Sequence, residues 1–335
     1  MRSEIGSEFW DVPIVDGLNT IFPSDTVWYL SGRCALRAII KDVKRKIHFR
    51  KVALPSWCCD SMIIPFVEEN VEVTFYSVTY TEGRLRQDFS SVAGCDAMLV
   101  MDYFGYRREW DYSFDGIVIY DATHGILCGG LRDADYTFGS LRKWAGFYTG
   151  GFAFAKEGGL LVEGLDTDAP YIAMRQDAMK QKRQYIAEQS SSKDYLSVFS
   201  QAETMLDLPS SGAGSSEDVV AARHLNTEFI RSKRRENAAV LMDSLSDYVI
   251  FPELREDDCP LFVPLLLPES DRDALRRHLI AKEIYCPIHW PLTAVHKLDS
   301  DQREIYQREI SIVCDQRYGL ADMQRICSEI RDFLK

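Results

Sequence analysis

The apolar run Gly116-Ile117-Val118-Ile119-Tyr120 ends on the carboxylate of Asp121. An unbroken β-branched stretch this short predicts a strand buried on both faces, as in parallel sheets covered by helices. Sheets of that kind gather their ligands at strand carboxyl ends, which places Asp121 and His124, three residues on, at a candidate site. The run 134–139 repeats the arrangement and leads to Ser140 and Lys143, with Gly150 and Gly151 seven and eight residues past the lysine. Further strands are predicted at 52–55, 71–78 and 152–155, and 97–105 reads as a buried strand running into a loop. Between them, Ala35, Leu36, Ile39, Ile40 and Val43 recur at helical spacing. Strands alternating with helices over about 30–160 predict an α/β fold with a mostly parallel sheet. No Gly-x-Gly-x-x-Gly follows the first strand and no Walker loop is present, which argues against a nucleotide-binding Rossmann domain.

Composition narrows the class. A chain of 335 residues with 46% hydrophobic content can bury a large core, enough for two domains or for one large α/β domain with an appendage. With 51 acidic against 39 basic residues the net charge is −12, so bulk electrostatics would not hold it on nucleic acid. The nine cysteines are scattered, without metal-ligand spacing, and Cys58-Cys59 is unsuited to an ordinary disulfide. They read as reduced thiols in a cytoplasmic protein. There is no signal-peptide pattern and no apolar stretch long enough to span a bilayer.

An acid, a histidine, a serine and a lysine at consecutive strand ends suit one cofactor, pyridoxal 5'-phosphate (PLP). The lysine amine forms a Schiff base with it, and the carboxylate keeps the pyridine nitrogen protonated so that the ring is an electron sink. On these residues the chain resembles the DegT/DnrJ/EryC1/StrS family of fold-type-I, PLP-dependent sugar aminotransferases. That family carries Asp-x-x-His/Gln after a central strand, matched by Asp121 and His124. It then carries a lysine followed by Gly-Gly, matched by Lys143, Gly150 and Gly151 at the same spacing. The resemblance spans nearly the whole chain, with its specific motifs in the middle third. It implies a three-layer large domain with a mostly parallel sheet, followed by a small C-terminal α/β domain. The corresponding division is an N-terminal segment at 1–28, the PLP-binding domain at 29–217, and a long helix with the small domain at 218–335.

The resemblance also implies roles for individual residues. Ser31-Gly32 stands where the family has Ser-Gly-Thr against the cofactor phosphate, so Gly32, Arg33 and Cys34 are expected there. Arg33 replaces the threonine and either adds charge to the phosphate or points away. An aromatic near 57–59 stacks on the ring in the family, a place taken here either by Trp57 or by Cys59. Ser140, at the Ser-x-x-Lys spacing of other fold-type-I enzymes where this family has its serine five residues before the lysine, is expected to donate to the phosphate, and His124 to contact the ring or its phenolic oxygen. His289 and Trp290, on a loop approaching the site mouth, are expected to touch substrate or to brace a turn. Thr149 replaces the family's glutamate before Gly-Gly. An Asn-x-Arg segment that reaches the neighbouring subunit's phosphate is absent, with serines and glycines at 209–216 in its place.

The implied activity is transfer of an amino group from glutamate or glutamine to a keto-sugar on a nucleotide carrier, in cell-surface polysaccharide or related biosynthesis. A homodimer with no metal, nucleic acid or membrane partner is implied with it. Family dehydratases carry histidine in place of the lysine, and Lys143 argues against that chemistry. A lyase-type reaction on the same fold, and a cofactor-free scaffold, are the alternatives.

Overall fold

The computed structural model describes residues 4–160, 166–206 and 212–335. The chain opens with β1 (Ile5–Gly6) and β2 (Val27–Tyr29), then α1 (Gly32–Lys46), β3 (Lys51–Pro55) and α2 (Asp60–Glu68). A hairpin of β4 (Glu72–Thr81) and β5 (Arg84–Asp88) precedes the buried strands β6 (Ala97–Met101), β7 (Ile117–Asp121), β8 (Tyr136–Ser140) and β9 (Gly151–Ala155). All but β1 join one sheet in the order β2-β9-β8-β7-β6-β3-β4-β5. The five central strands run parallel, while β2, β9 and β5 are antiparallel to their neighbours. The strand order reverses at β3, between β4 and β6, so crevices open outside the carboxyl ends of this region.

Helix α1 begins where Ser31 Oγ accepts the Cys34 N–H at 3.2 Å and ends in Lys44, Arg45 and Lys46, which suit the negative end of the helix dipole. Its apolar stripe is buried against the sheet, as the spacing of Ala35 through Val43 predicts. The hairpin strand β5 was not anticipated. Its turn has φ of +52° at Glu82 and +71° at Gly83, and a lone glycine is a weak signal for such a turn.

Beyond β9, α3 (Ala169–Ile186) and α4 (Tyr195–Met205) are separated by a turn that contains the serines 190–192. The single long helix expected from Asp218 onward is instead two, α5 (Ser216–Arg223) and α6 (Thr227–Ser244). Asn226 interrupts it by accepting the Phe229 N–H at 3.0 Å, capping α6 afresh. The C-terminal portion holds β10 (Val263–Leu266), α7 (Glu269–Ala281), β11 (Ile284–Tyr285), α8 (Ser300–Arg308), β12 (Glu309–Ile312) and α9 (Leu320–Leu334). β10 pairs with β12, and β1 reaches across the chain to pair with β11. Glu4, beside β1, is buried against Lys182 and, at 3.0 Å, Lys193, which fastens the N-terminal segment to α3 and to the turn before α4.

Part of the Ser/Gly loop, Pro209 to Ser211, and Ser3 of the leading segment lie outside the described residues. The rest of the loop is held by its own chain. Leu30 N–H donates to Gly212 O at 2.8 Å, Gly214 N–H to Trp28 O at 3.0 Å, and Ser215 N–H to Thr149 Oγ1 at 3.1 Å. No helix among the described residues is long and apolar enough to cross a membrane.

Candidate active site

Asp121 is the last residue of β7, Ser140 the last of β8, and Lys143 closes the short turn after β8. These strand ends, the start of α1 and one side of α4 surround a cavity of about 420 Å³. Gly32, Arg33, Cys59, Asp121, His124, Ser140, Lys143 and Trp290 all line it, so eight residues singled out from the sequence meet in one space.

The loop that carries Lys143 is set by its glycines. Gly150 sits at φ +88°, a conformation that residues with a Cβ rarely adopt. A Cβ on Gly151 would lie 2.3 Å from the Ser31 carbonyl, so only glycine lets the start of α1 pack against β9 at that point. Thr149, ahead of them, donates through its N–H at 2.7 Å and its Oγ at 2.5 Å to Asp218 of α5. Thus the residue that departs from the family pattern anchors the loop rather than facing the cavity.

Lys143 projects into the cavity and its side chain is exposed there, while desolvation by the surrounding protein, with Arg142 beside it, holds its amine below the ordinary range. Its Nζ has no hydrogen-bond or ion-pair partner among the described residues. Asp121 is 5% exposed and is held by Thr123, whose N–H donates to Oδ1 at 2.8 Å and whose side chain also bonds the carboxylate. Burial raises its carboxyl to about 6. His124 Nδ1 accepts the Phe104 N–H at 3.2 Å, so the neutral ring carries its proton on Nε2. Burial lowers its imidazole to about 3, which keeps it neutral. Trp290 stacks on His124 with ring centroids 5.7 Å apart and planes 19° from parallel.

Three expected residues, Cys34, Trp57 and His289, do not join this lining. Cys34 is buried in the first turn of α1, where its N–H and Sγ both engage Ser31 Oγ. Trp57 is fully buried, stacked on Tyr103 at 4.8 Å, and its Nε1 donates to His289 O at 2.8 Å. Of the two candidates at 57–59 it is Cys59, the N-cap residue of α2, that reaches the cavity. Arg33 also reaches it, while one of its Nη atoms donates to Leu206 O at 2.9 Å. His289 lines a second cavity on the other side of Lys143.

Sequence reasoning missed Arg142, Glu203 and Thr204, which complete the wall. Arg142 pairs with Glu203 of α4, which also lies 3.4 Å from Arg175. Adjacency to Lys143 was a usable signal for Arg142. Glu203 has none, because α4 reaches the site only through tertiary packing. Asp102, the acid just past β6, is already committed: it pairs with Arg132 at 2.6 Å and accepts from Tyr120 Oη at 2.8 Å.

An amine without a partner that opens on the cavity, a buried carboxylate, a histidine that donates and a glycine at a helix start can together hold a group with an electrophilic carbon, a basic ring atom and an anion. The Gly32 N–H, first in its helix, has no partner among the described residues. No protein-family profile and no curated protein sequence matches the chain. Its fold, in contrast, is similar to that of solved aminotransferases. CalS13, a sugar aminotransferase from Micromonospora echinospora, is 15% identical, with 92% of this chain and 87% of that one covered at a TM-score of 0.61. PseC from Helicobacter pylori, an aminotransferase involved in the biosynthesis of pseudoaminic acid, is 13% identical over 92% and 86%, with a TM-score of 0.62. NtdA from Bacillus subtilis, solved with bound cofactor PMP, is 12% identical over 92% and 73%, also at 0.62. The chain therefore has the α/β fold of these enzymes.

Proposed function

We propose that the protein is a PLP-dependent aminotransferase that moves an amino group from glutamate or glutamine to a keto-sugar carried on a nucleotide, in polysaccharide or related biosynthesis. The observation that carries this reading is the unpartnered Lys143 amine in one cavity with the buried Asp121 carboxylate and the Nε2–H of His124. Those residues fit PLP: Lys143 would hold it through its amine, Asp121 the ring nitrogen and His124 the ring's phenolic oxygen. Gly32, Ser140 and Arg33 would take the phosphate, and Cys59 and Trp290 would border the ring. When bound, the cofactor supplies an electron sink for the bonds at the substrate carbon.

The chain's own residues supply the proton handling. Desolvation by the cavity wall and the charge of Arg142 favour the neutral form of the Lys143 amine, so Nζ can take the proton from the substrate carbon and return it. Asp121, buried and costly to ionise alone, is satisfied once a cation lies against its carboxylate. The second cavity, of about 480 Å³, shares Lys143 and carries Arg276, a guanidinium with no ion-pair partner among the described residues. This supports an acceptor that bears phosphate.

The same reading takes 29–217 as the cofactor-binding domain and 218–335 as the long helical segment and small domain, in a cytoplasmic homodimer of two copies of the chain. In support of a dimer, Ile14, Val15 and Leu18 are exposed on a segment that pairs with Leu225, and Val220 and Phe229 are exposed on the adjoining α5 and α6. To test the activity, the PLP-loaded protein is mixed with glutamate alone. The visible absorbance should bleach with one equivalent of 2-oxoglutarate released, and a nucleotide-linked keto-sugar should restore it. A protein that takes up no PLP, or that releases no keto acid from glutamate or glutamine, would contradict the assignment.

A further inference from the structure

Lys143 stands between two cavities, and His289 is the histidine that faces the second. Its Nδ1 lies 2.8 Å from Ser311 Oγ, and Ser311 Oγ is hydrogen-bonded in turn to Glu309 Oε1. Glu309 Oε2 accepts the backbone N–H of His289 at 2.7 Å, so acid, hydroxyl and imidazole close a loop between β12 and the segment after β11. Glu309 and Ser311 are fully buried, and His289 Nε2 has no partner among the described residues. The chain of groups therefore begins on a buried acid and ends on a ring nitrogen of a cavity wall.

A hydroxyl with one proton and a partner on each side permits two arrangements. With Glu309 ionised, the carboxylate can only accept. Ser311 then donates to Glu309, His289 donates from Nδ1 to Ser311, and Nε2 presents a lone pair. With Glu309 protonated, the acid donates to Ser311, Ser311 donates to Nδ1, and Nε2 presents a proton. The two states differ by one proton. Nε2 releases it to the cavity, Nδ1 takes one from Oγ, Oγ takes one from Oε1, and the negative charge ends on Glu309.

We propose that Glu309 and Ser311 are positioning residues that set whether His289 offers the substrate a hydrogen-bond donor or an acceptor. His289 is then a specificity-determining residue for the oxygen it meets: a carbonyl or ether oxygen in the donor state, a hydroxyl in the acceptor state. This rests on the aminotransferase reading for the identity of the substrate, whereas the relay stands on its hydrogen bonds.

Burial raises the Glu309 carboxyl to about 8 and holds His289 far below the usual imidazole range, so the acid changes charge while the ring stays neutral. Arg272 of α7 faces Glu309, and burial pushes Cys286 beside it up to about 12, so that it remains a thiol. His124 and Lys143 face the imidazole. His124 is neutral in this range, which leaves Lys143 as the other neighbour that titrates.

Nitrogen-15 NMR of histidine-labelled protein reads the tautomer directly. The six histidines leave a spectrum that His289→Gln assigns. In the wild type, and in Lys143→Ala where that neighbouring charge is gone, the His289 proton should sit on Nε2 at about pH 6 and on Nδ1 at about pH 10. Ser311→Ala should make the tautomer indifferent to pH. Glu309→Gln, whose amide donates but cannot ionise, should hold the Nε2–H form throughout. With substrate, Glu309→Gln should change kcat/KM about 10-fold at alkaline pH while the cofactor absorbance stays unaltered. A His289 tautomer that stays constant from about pH 6 to about pH 10 in the wild type overturns the proposal. A tautomer that switches in a protein with no aminotransfer supports the relay and sinks the functional reading instead.

Discussion

Asp121 combines a functional position with an electrostatic cost, and its substitution separates the two. Its folded carboxyl, at about 6, lies above the unfolded value of about 3.9. Below about pH 4 both states hold the proton, and its burial costs no charge. As pH rises through about 6, the cofactor-free protein must ionise a buried acid, and stability worth about 3 kcal/mol is lost. Asp121→Asn keeps the Thr123 hydrogen bond without that cost, so it should gain stability relative to wild type over this window, read by urea unfolding at pH 4 and about pH 7. Parallel pH dependences for the two proteins would refute this. The loaded variant should keep its colour but lose about 100-fold or more in turnover, since a neutral amide cannot hold the ring proton by charge and Asp102 is tied to Arg132. Lys143→Ala should lose turnover and the covalently held, visibly absorbing cofactor together. Full transaminase activity in that variant would remove the lysine from the mechanism.

Among the elements, the Gly-Gly loop and the interrupted helix rest on single residues. Gly150→Ala must adopt a φ of +88° with a Cβ, at a cost of about 1 kcal/mol. Gly151→Ala drives a methyl into the Ser31 backbone, which can move only with the start of α1. The second substitution should therefore destabilise by about 1–3 kcal/mol and also weaken binding of PLP, measured by equilibrium dialysis. If both variants bind PLP as wild type does, α1 is not part of the cradle. At the other break, Asn226→Ala removes the cap of α6 and should cost about 1 kcal/mol in chemical denaturation, with the site untouched.

For the molecule as a whole, association is argued from exposed apolar residues and not from the Ser/Gly loop. Residues 212–215 are tied to β2 and Thr149 of their own chain. An association surface is better sought at Leu18 and Phe229, apolar and exposed on elements that touch. Light scattering of the wild type should give twice the chain mass, and Leu18→Lys with Phe229→Glu should shift it toward a monomer by burying charge in the contact. PLP should be released as the dimer dissociates if residues of both copies complete each pocket. A monomer that keeps its colour and its activity would show that each chain completes its own site.

The strand ends were legible in the sequence because the cause is local. A short β-branched run such as 116–120 has no stable alternative to a buried strand, and the residue after it can only lie at the sheet's edge. Hence Asp121, His124, Ser140 and Lys143 were found by position alone, as was the apolar stripe of α1. Contacts between distant segments have no such signature. Whether Trp57 or Cys59 met the cavity turned on how α2 is capped, and the tryptophan went to Tyr103 and His289 because its large apolar ring is buried there with its N–H satisfied. Glu203 reached Arg142 only because α4 packs back over the site, and β1 found β11 across 279 residues of chain because an unpaired edge was there to receive it. The linkage of Glu309 through Ser311 to His289 is likewise tertiary. Residues two apart on a strand share a face, but only the fold brings the histidine of another segment to that face.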